Sequence, residues 1–215
     1  MNPEPAASLP ERLRLATRDL HAQTERTGAM ADLLAGRLAK PGYCALLRSL
    51  HAIYAALEDG LLRQPPAAAV RQLNAGPMHR EAALAADLVA LHGPHWRTEL
   101  KLQPAARAYA ARLQVLSRAQ SPALVAHVYV RCLGDLHGGQ ILKRLVARSL
   151  GLSGEDATLF YEFGDEAQVL VLRNGLRTAL GGLVLDDADA DLVLNEARWA
   201  FLQHQQLFTE LAASV

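Results

Sequence analysis

An all-α fold, built as a single multi-helical domain, is predicted by three features of the 215-residue chain. Alanine and leucine dominate, whereas isoleucine occurs only at Ile53 and Ile141, so the β-branched enrichment of strands is missing. Apolar positions recur at helical spacing in window after window. Hydrophobic side chains make up 51% of the sequence, enough for one sizeable core.

The first helix is expected to start at Ser8, with Glu11 completing a capping box and Pro10 tolerated in the first turn. Gly28 is expected to stop it. Its apolar or small stripe runs through Leu9, Leu13, Ala16, Leu20 and Thr24, with His21 at the edge and Glu25 one turn further on. A second helix is predicted over residues 42–63, with Tyr43, Leu46, Leu47, Leu50, Tyr54 and Leu57 inward, and a loop over 64–77. A third is centred on residues 78–93 and ends at Gly93-Pro94; a fourth opens at Pro104. Ser121-Pro122 opens a long helix over 122–150 that contains Gly134, Gly138 and Gly139, each unfavourable there by roughly 1 kcal/mol relative to alanine. After a loop holding Gly151 and Gly154, helices are predicted over 166–180 and 188–213. The domain is thus expected over 9–215, preceded by a flexible segment, 1–8.

Twenty-two basic residues balance 22 acidic ones, so no global field favours nucleic acid or an anionic membrane as partner. No basic leader precedes an apolar run, and no stretch approaches the roughly 18 apolar residues of a membrane span, so a cytoplasmic protein is expected. Cys44 and Cys132 stand far apart without a CxxC, which suits a reducing compartment and two small buried side chains.

The glycine-rich stretch Leu-Gly-Asp-Leu-His-Gly-Gly-Gln, residues 133–140, carries the most information. At helical spacing Gly134 lies over Gly138 and Asp135 over Gly139, making a face stripped of side chains and bordered by one acid. Such a face admits something broad and flat, or else packs closely against another helix.

This stretch resembles the distal-helix motif of heme oxygenases, whose usual form has serine in place of His137. The segment LRLATRDLHAQTE (13–25) resembles that family's proximal helix. HAIYAALE (51–58), HREAALAADL (79–88), GPHW (93–96) and ARWAFLQHQQLFTEL (197–211) are similar in the same order, so the resemblance covers nearly the whole domain. No hydrophobic anchor follows Leu211, which makes the likeness one to soluble, bacterial-type members.

The resemblance implies a helical bundle with heme b, both cofactor and substrate, between a proximal and a kinked distal helix. It implies His21 as the axial iron ligand, with Glu25 accepting from the other ring nitrogen. Asp135 would serve the distal side, because a carboxylate acting through ordered water supplies protons without splitting bound oxygen early, as a strong acid or an imidazole would. Gly134, Gly138 and Gly139 would leave room for the macrocycle, and Tyr129, Arg131 and Tyr54 would join the water network. Arg14, Arg18, Arg173 and Arg177 are candidates for the propionates, Arg18 and Arg173 foremost. The implied reaction opens heme with O2 and electrons from a ferredoxin, flavodoxin or NAD(P)H reductase to biliverdin, carbon monoxide and ferrous iron, with a bilin acceptor downstream.

His137 lies about 200° of helical rotation from Asp135 and is expected to point away from the pocket. Pointing inward, it would offer a sixth ligand, and the chain would then read as a heme carrier or sensor. A di-iron oxidase of related fold is disfavoured because no Glu-x-x-His pair is present, and a thiamin-degrading hydrolase rests on fold analogy alone.

Overall fold

The computed structural model describes residues 7–152 and 157–213. Most of the expected flexible amino-terminal segment, and Gly154, lie outside these. Ten α-helical segments account for the described fold: α1 (Leu9–Thr24), α2 (Gly28–Leu34), α3 (Lys40–Leu62), α4 (Glu81–His92), α5 (Trp96–Glu99), α6 (Pro104–Arg118), α7 (Leu124–His127), α8 (Gly134–Leu150), α9 (Glu166–Gly181) and α10 (Asp187–Ala212). Among the described residues there is no strand, as the alanine- and leucine-rich composition requires. Among the described residues no helix is long and apolar enough to cross a membrane.

The predicted inward face of α3 is fully realised: Tyr43, Leu46, Leu47, Leu50, Tyr54 and Leu57 are all buried, against α4 on one side and α6 on the other. Helix α10 is the second organiser, packing on α1, α2, α6 and α7. Between these two frames, α1 and α8 are left as walls of a cavity.

Local details correct several expectations. Ser8 is the N-cap of α1 and extended, but its side chain makes no capping bond; its carbonyl instead accepts from Glu11 and Arg12 amides at 3.0 and 2.9 Å. A full capping box occurs at α9, where Asp165 accepts from the Gln168 amide and Gln168 accepts from the Asp165 amide, each at 2.8 Å. Gly28 does not stop α1, which ends at Thr24; it begins the unforeseen α2 with φ of 45°. Its bare Cα is required by contact, since a Cβ would lie 2.2 Å from the carbonyl oxygen of Phe208 on α10. The predicted loop over 64–77 holds two 3-10 turns, Ala69–Leu73 and Gly76–Met78.

The long helix predicted over 122–150 is not uniform. After α7 the chain winds as a π-helix over Val128–Leu133 and returns to α-geometry at Gly134. The irregularity therefore precedes the glycines rather than falling on them, and it adds to the turn that carries Arg131, a placement typical of functional sites.

Two glycine substitutions separate these roles. Gly28→Ala is expected to lower stability by about 2–4 kcal/mol through left-handed backbone strain and the Phe208 clash. Exposed Gly175 within α9, where a Cβ would meet nothing, should gain roughly 0.5–1 kcal/mol as alanine. Urea midpoints at constant m-value measure both.

Candidate heme site

The cavity has a volume of about 540 Å³ and is walled by α1 and α8, with α2, α9 and α10 closing its sides. That is the size of a pocket for a single organic ligand. Helix α1 contributes Arg14, His21 and Thr24, with Glu25 just beyond its end. The facing wall carries Tyr129, Val130, Arg131, Leu133, Gly134, Asp135, His137, Gly138, Ile141 and Leu142. Residues 134, 137, 138 and 141 share one helical face by their i, i+3, i+4, i+7 spacing.

On the α1 wall, His21 is 57% exposed and its ring packs edge-on against Phe201 of α10, with centroids 5.7 Å apart. Its Nδ1 lies 3.7 Å from Glu25 Oε1. One ring nitrogen thus turns towards a carboxylate one turn along the chain, and the other is left for the cavity.

On the α8 wall, the expected bare face is present. A Cβ at Gly134 or at Gly138 would meet nothing within 4 Å, so both leave open space over the cavity. Gly139 does not belong to this face. It is buried, and a Cβ there would touch the rings of Tyr161 and Phe163 at 3.6 and 3.9 Å. Five residues past Gly134 turn the backbone by about 140°, towards the core.

Asp135 is fixed by two neighbours. Arg131, one turn earlier, gives both carboxylate oxygens a hydrogen bond of 2.8 Å, and the buried hydroxyl of Tyr54 on α3 donates to Oδ2. Burial raises the Asp135 pKa, against the opposing effects of the guanidinium and the tyrosine hydroxyl. For Arg131, burial is the largest effect and disfavours the charge, but Asp135 together with Tyr54 and Tyr109 outweighs it and the pKa is raised. Arg131 Nε is buried with no partner, leaving a donor at the cavity edge.

Arg131 has a further neighbour that the sequence did not announce. His204 on α10 lines the cavity; its Nδ1 donates to the Ala200 carbonyl at 2.7 Å, so Nε2 accepts from Arg131 Nη1 at 3.2 Å. Burial and the Arg131 charge lower its pKa to about 3. Behind it, Tyr109 meets His127 Nδ1 at 2.9 Å, and His127 Nε2 lies 3.2 Å from Glu196. Burial opposes the Glu196 charge, but His127 and Arg112 prevail and lower its pKa to about 2. The spacing Phe201, His204, Phe208 is a readable helical stripe, and all three line the cavity.

The propionate candidates divide. Arg14 and Arg177 line the cavity and have no carboxylate partner among the described residues. Arg18, ranked higher from sequence, is exposed and pairs with Asp19 at 3.0 Å, and Arg173 is not in the lining. Their helices do reach the cavity, but the face is set one turn away. His137 also departs from expectation, lying on the cavity face.

A slot with a carboxylate-paired imidazole on one wall and bare backbone with a clamped acid on the other defines a helical protein for a flat, metal-centred ligand. Known proteins make the class specific. The heme oxygenase family profile matches residues 7–210. Heme oxygenase 1 of Nostoc is 31% identical over 98% of this chain and 88% of its own length; human heme oxygenase 1 is 34% identical over 94% and 71%. The heme complex of heme oxygenase-1 from Synechocystis superposes with a TM-score of 0.90 at 32% identity, covering 97% of this chain and 94% of that one. Heme oxygenase from Leptospira interrogans also gives 0.90, at 31% identity, over 95% and 100%. The chain belongs to the heme oxygenase family and is a heme oxygenase.

The neutral burial of His204 predicts acid sensitivity. Its folded pKa of about 3 lies below the ordinary 6.5, so the unfolded chain takes up a proton that the folded one refuses. The stability this contributes is complete above pH 6.5 and is lost as pH falls towards 3. His204→Gln should show a shallower fall of the urea midpoint across that window; an unchanged slope would remove His204 as its source.

Proposed function

We propose that this cavity receives heme b edge-first between α1 and α8, with His21 as the protein ligand to iron and the propionates at Arg14 and Arg177. The observation that carries the reading is the pairing of the His21–Glu25 imidazole with the open Gly134–Gly138 backbone across one cavity. When bound, heme supplies the iron that activates dioxygen and the macrocycle that is opened. The residues present fit it: a 540 Å³ slot, a wall lacking Cβ atoms, and an orphaned donor at Arg131 Nε.

Each wall has its own task. Glu25, 3.7 Å from Nδ1, would orient the His21 ring and Phe201 restrains it edge-on, so that Nε2 would be the nitrogen to hold iron. Gly134 and Gly138 let α8 approach the macrocycle closely and limit the water above it. Asp135 does not reach the substrate as a free acid, because Arg131 and Tyr54 occupy its oxygens. Its task is to orient ordered water and pass protons through it, so that proton supply is indirect and measured. Arg131, hydrogen-bonded to His204, favours the charged form of that carboxylate against burial and keeps it aimed.

Electrons come from an external donor such as a ferredoxin, flavodoxin or NAD(P)H reductase, and the products are biliverdin, carbon monoxide and ferrous iron. Cys44 and Cys132 are both free and buried, which supports a reducing, cytoplasmic setting. A purely storage or sensing role is not favoured, because the acid network around Asp135 has no use in it.

With hemin and a reductant under air, the Soret band should decline while biliverdin absorption grows; a persisting Soret band with no biliverdin would overturn the assignment. Asp135→Ala is expected to slow single-turnover ring opening by about 10²-fold or more. Arg14→Ala and Arg177→Ala should each weaken hemin binding roughly two- to tenfold, as exposed charge pairs do, with Arg18→Ala unchanged in fluorescence-quenching titrations.

A further inference from the structure

Three imidazoles line the cavity: His21 on α1, His137 on α8 and His204 on α10. Their hydrogen bonds differ in a way that decides what each can bind. His204 has committed both nitrogens, one to the Ala200 carbonyl and the other to Arg131, and it has no free lone pair. His21 turns Nδ1 to Glu25. His137 places Nδ1 2.7 Å from the carbonyl oxygen of Leu133. A carbonyl only accepts, so in the neutral ring Nδ1 carries the proton and Nε2 keeps a bare lone pair. No partner takes up that Nε2 among the described residues. His21 and His137 therefore share the arrangement that orients metal-bound imidazoles, one nitrogen facing an oxygen, at 3.7 and 2.7 Å, and the other without a partner.

Their placement is complementary. The two rings belong to opposite walls of one cavity, α1 and α8. The bond to Leu133 draws the His137 ring back along α8 towards the turn that holds Gly134. Gly134 and Gly138 leave open space on either side, so the ring has room to move.

We infer that His137 is a second, displaceable nitrogen ligand for iron held in this cavity, taking the coordination position opposite His21 in the ferric state. This deepens the heme-site reading and rests on it. Ligation is a simple exchange: the Nε2–iron bond forms as a water molecule leaves, and no proton is lost because Nε2 is already bare. The ring competes with every external ligand for the iron, and its departure admits a small molecule to the face that Asp135 serves. Enzyme turnover is thereby gated by histidine release rather than abolished.

The test compares wild type, His137→Ala, His137→Gln and His21→Ala after stoichiometric hemin addition, by absorption, low-temperature electron paramagnetic resonance and cyanide-binding kinetics. Wild type should be six-coordinate and low-spin with two nitrogen ligands, and its cyanide rate should saturate at the rate of histidine release. Both His137 variants should turn high-spin and bind cyanide at least about tenfold faster, as expected when the open form is under a tenth of the population. Added imidazole should restore the low-spin spectrum. A wild-type spectrum and cyanide rate shared by both His137 variants would overturn the proposal while leaving the heme site standing. The absence of any hemin endpoint in wild type would overturn the heme site itself, and this inference with it.

Discussion

A buried ion pair holds the distal side of this protein in shape. Arg131 and Asp135 are neighbours one turn apart on the stretch where π-winding gives way to α8, and both side chains are almost removed from solvent. Neither charge would be tolerated there alone; removing one partner of such a pair typically costs about 3–5 kcal/mol. Tyr54 from α3 and His204 from α10 complete the shell around it. Two helices distant in sequence are thus tied to one ion pair, α3 through the carboxylate and α10 through the guanidinium, and the position of the cavity wall follows from that tie.

The opposite demand comes from the glycines. A helix made of strong formers would be more stable, yet it would hold side chains where a flat ligand has to lie. Gly134 and Gly138 sacrifice that stability for close approach, and the ion pair beside them restrains the segment they loosen. Helix α10 joins the two walls. It offers Phe201 to His21, His204 to Arg131 and Phe208 to the cavity, while its Glu196 binds His127 and Arg112 on the far side. Changes deep in that helix therefore reach both walls.

Much of this was legible in the chain. Helical periodicity placed the core face of α3 residue by residue, and proline and glycine marked most boundaries to within two or three residues. His21 with Glu25, and the glycine–aspartate cluster, stood out because their residue types are poor choices for a plain helix. Other features were hidden for physical reasons. A π-turn has no local signature, so the irregularity over Val128–Leu133 was invisible, and the helical angle from Asp135 misplaces His137, which shares the face of Gly134 and Gly138. Gly139 looked equivalent to its neighbours until the fold put Tyr161 and Phe163 against it. Gly28 is explained only by Phe208, 180 positions away, and His204 only by Arg131. Arginines along one exposed surface cannot be ranked by spacing, because a single turn separates Arg14 at the cavity from Arg18 in solvent.

The central claim is that one imidazole from α1 and the bare backbone of α8 enclose a single heme. A crystal structure of the hemin-loaded protein tests it most directly. Iron at coordination distance from His21 Nε2, with the macrocycle lying against Gly134 and Gly138, is the expected result. Heme bound elsewhere, or iron held with the His21 ring turned away, would contradict it.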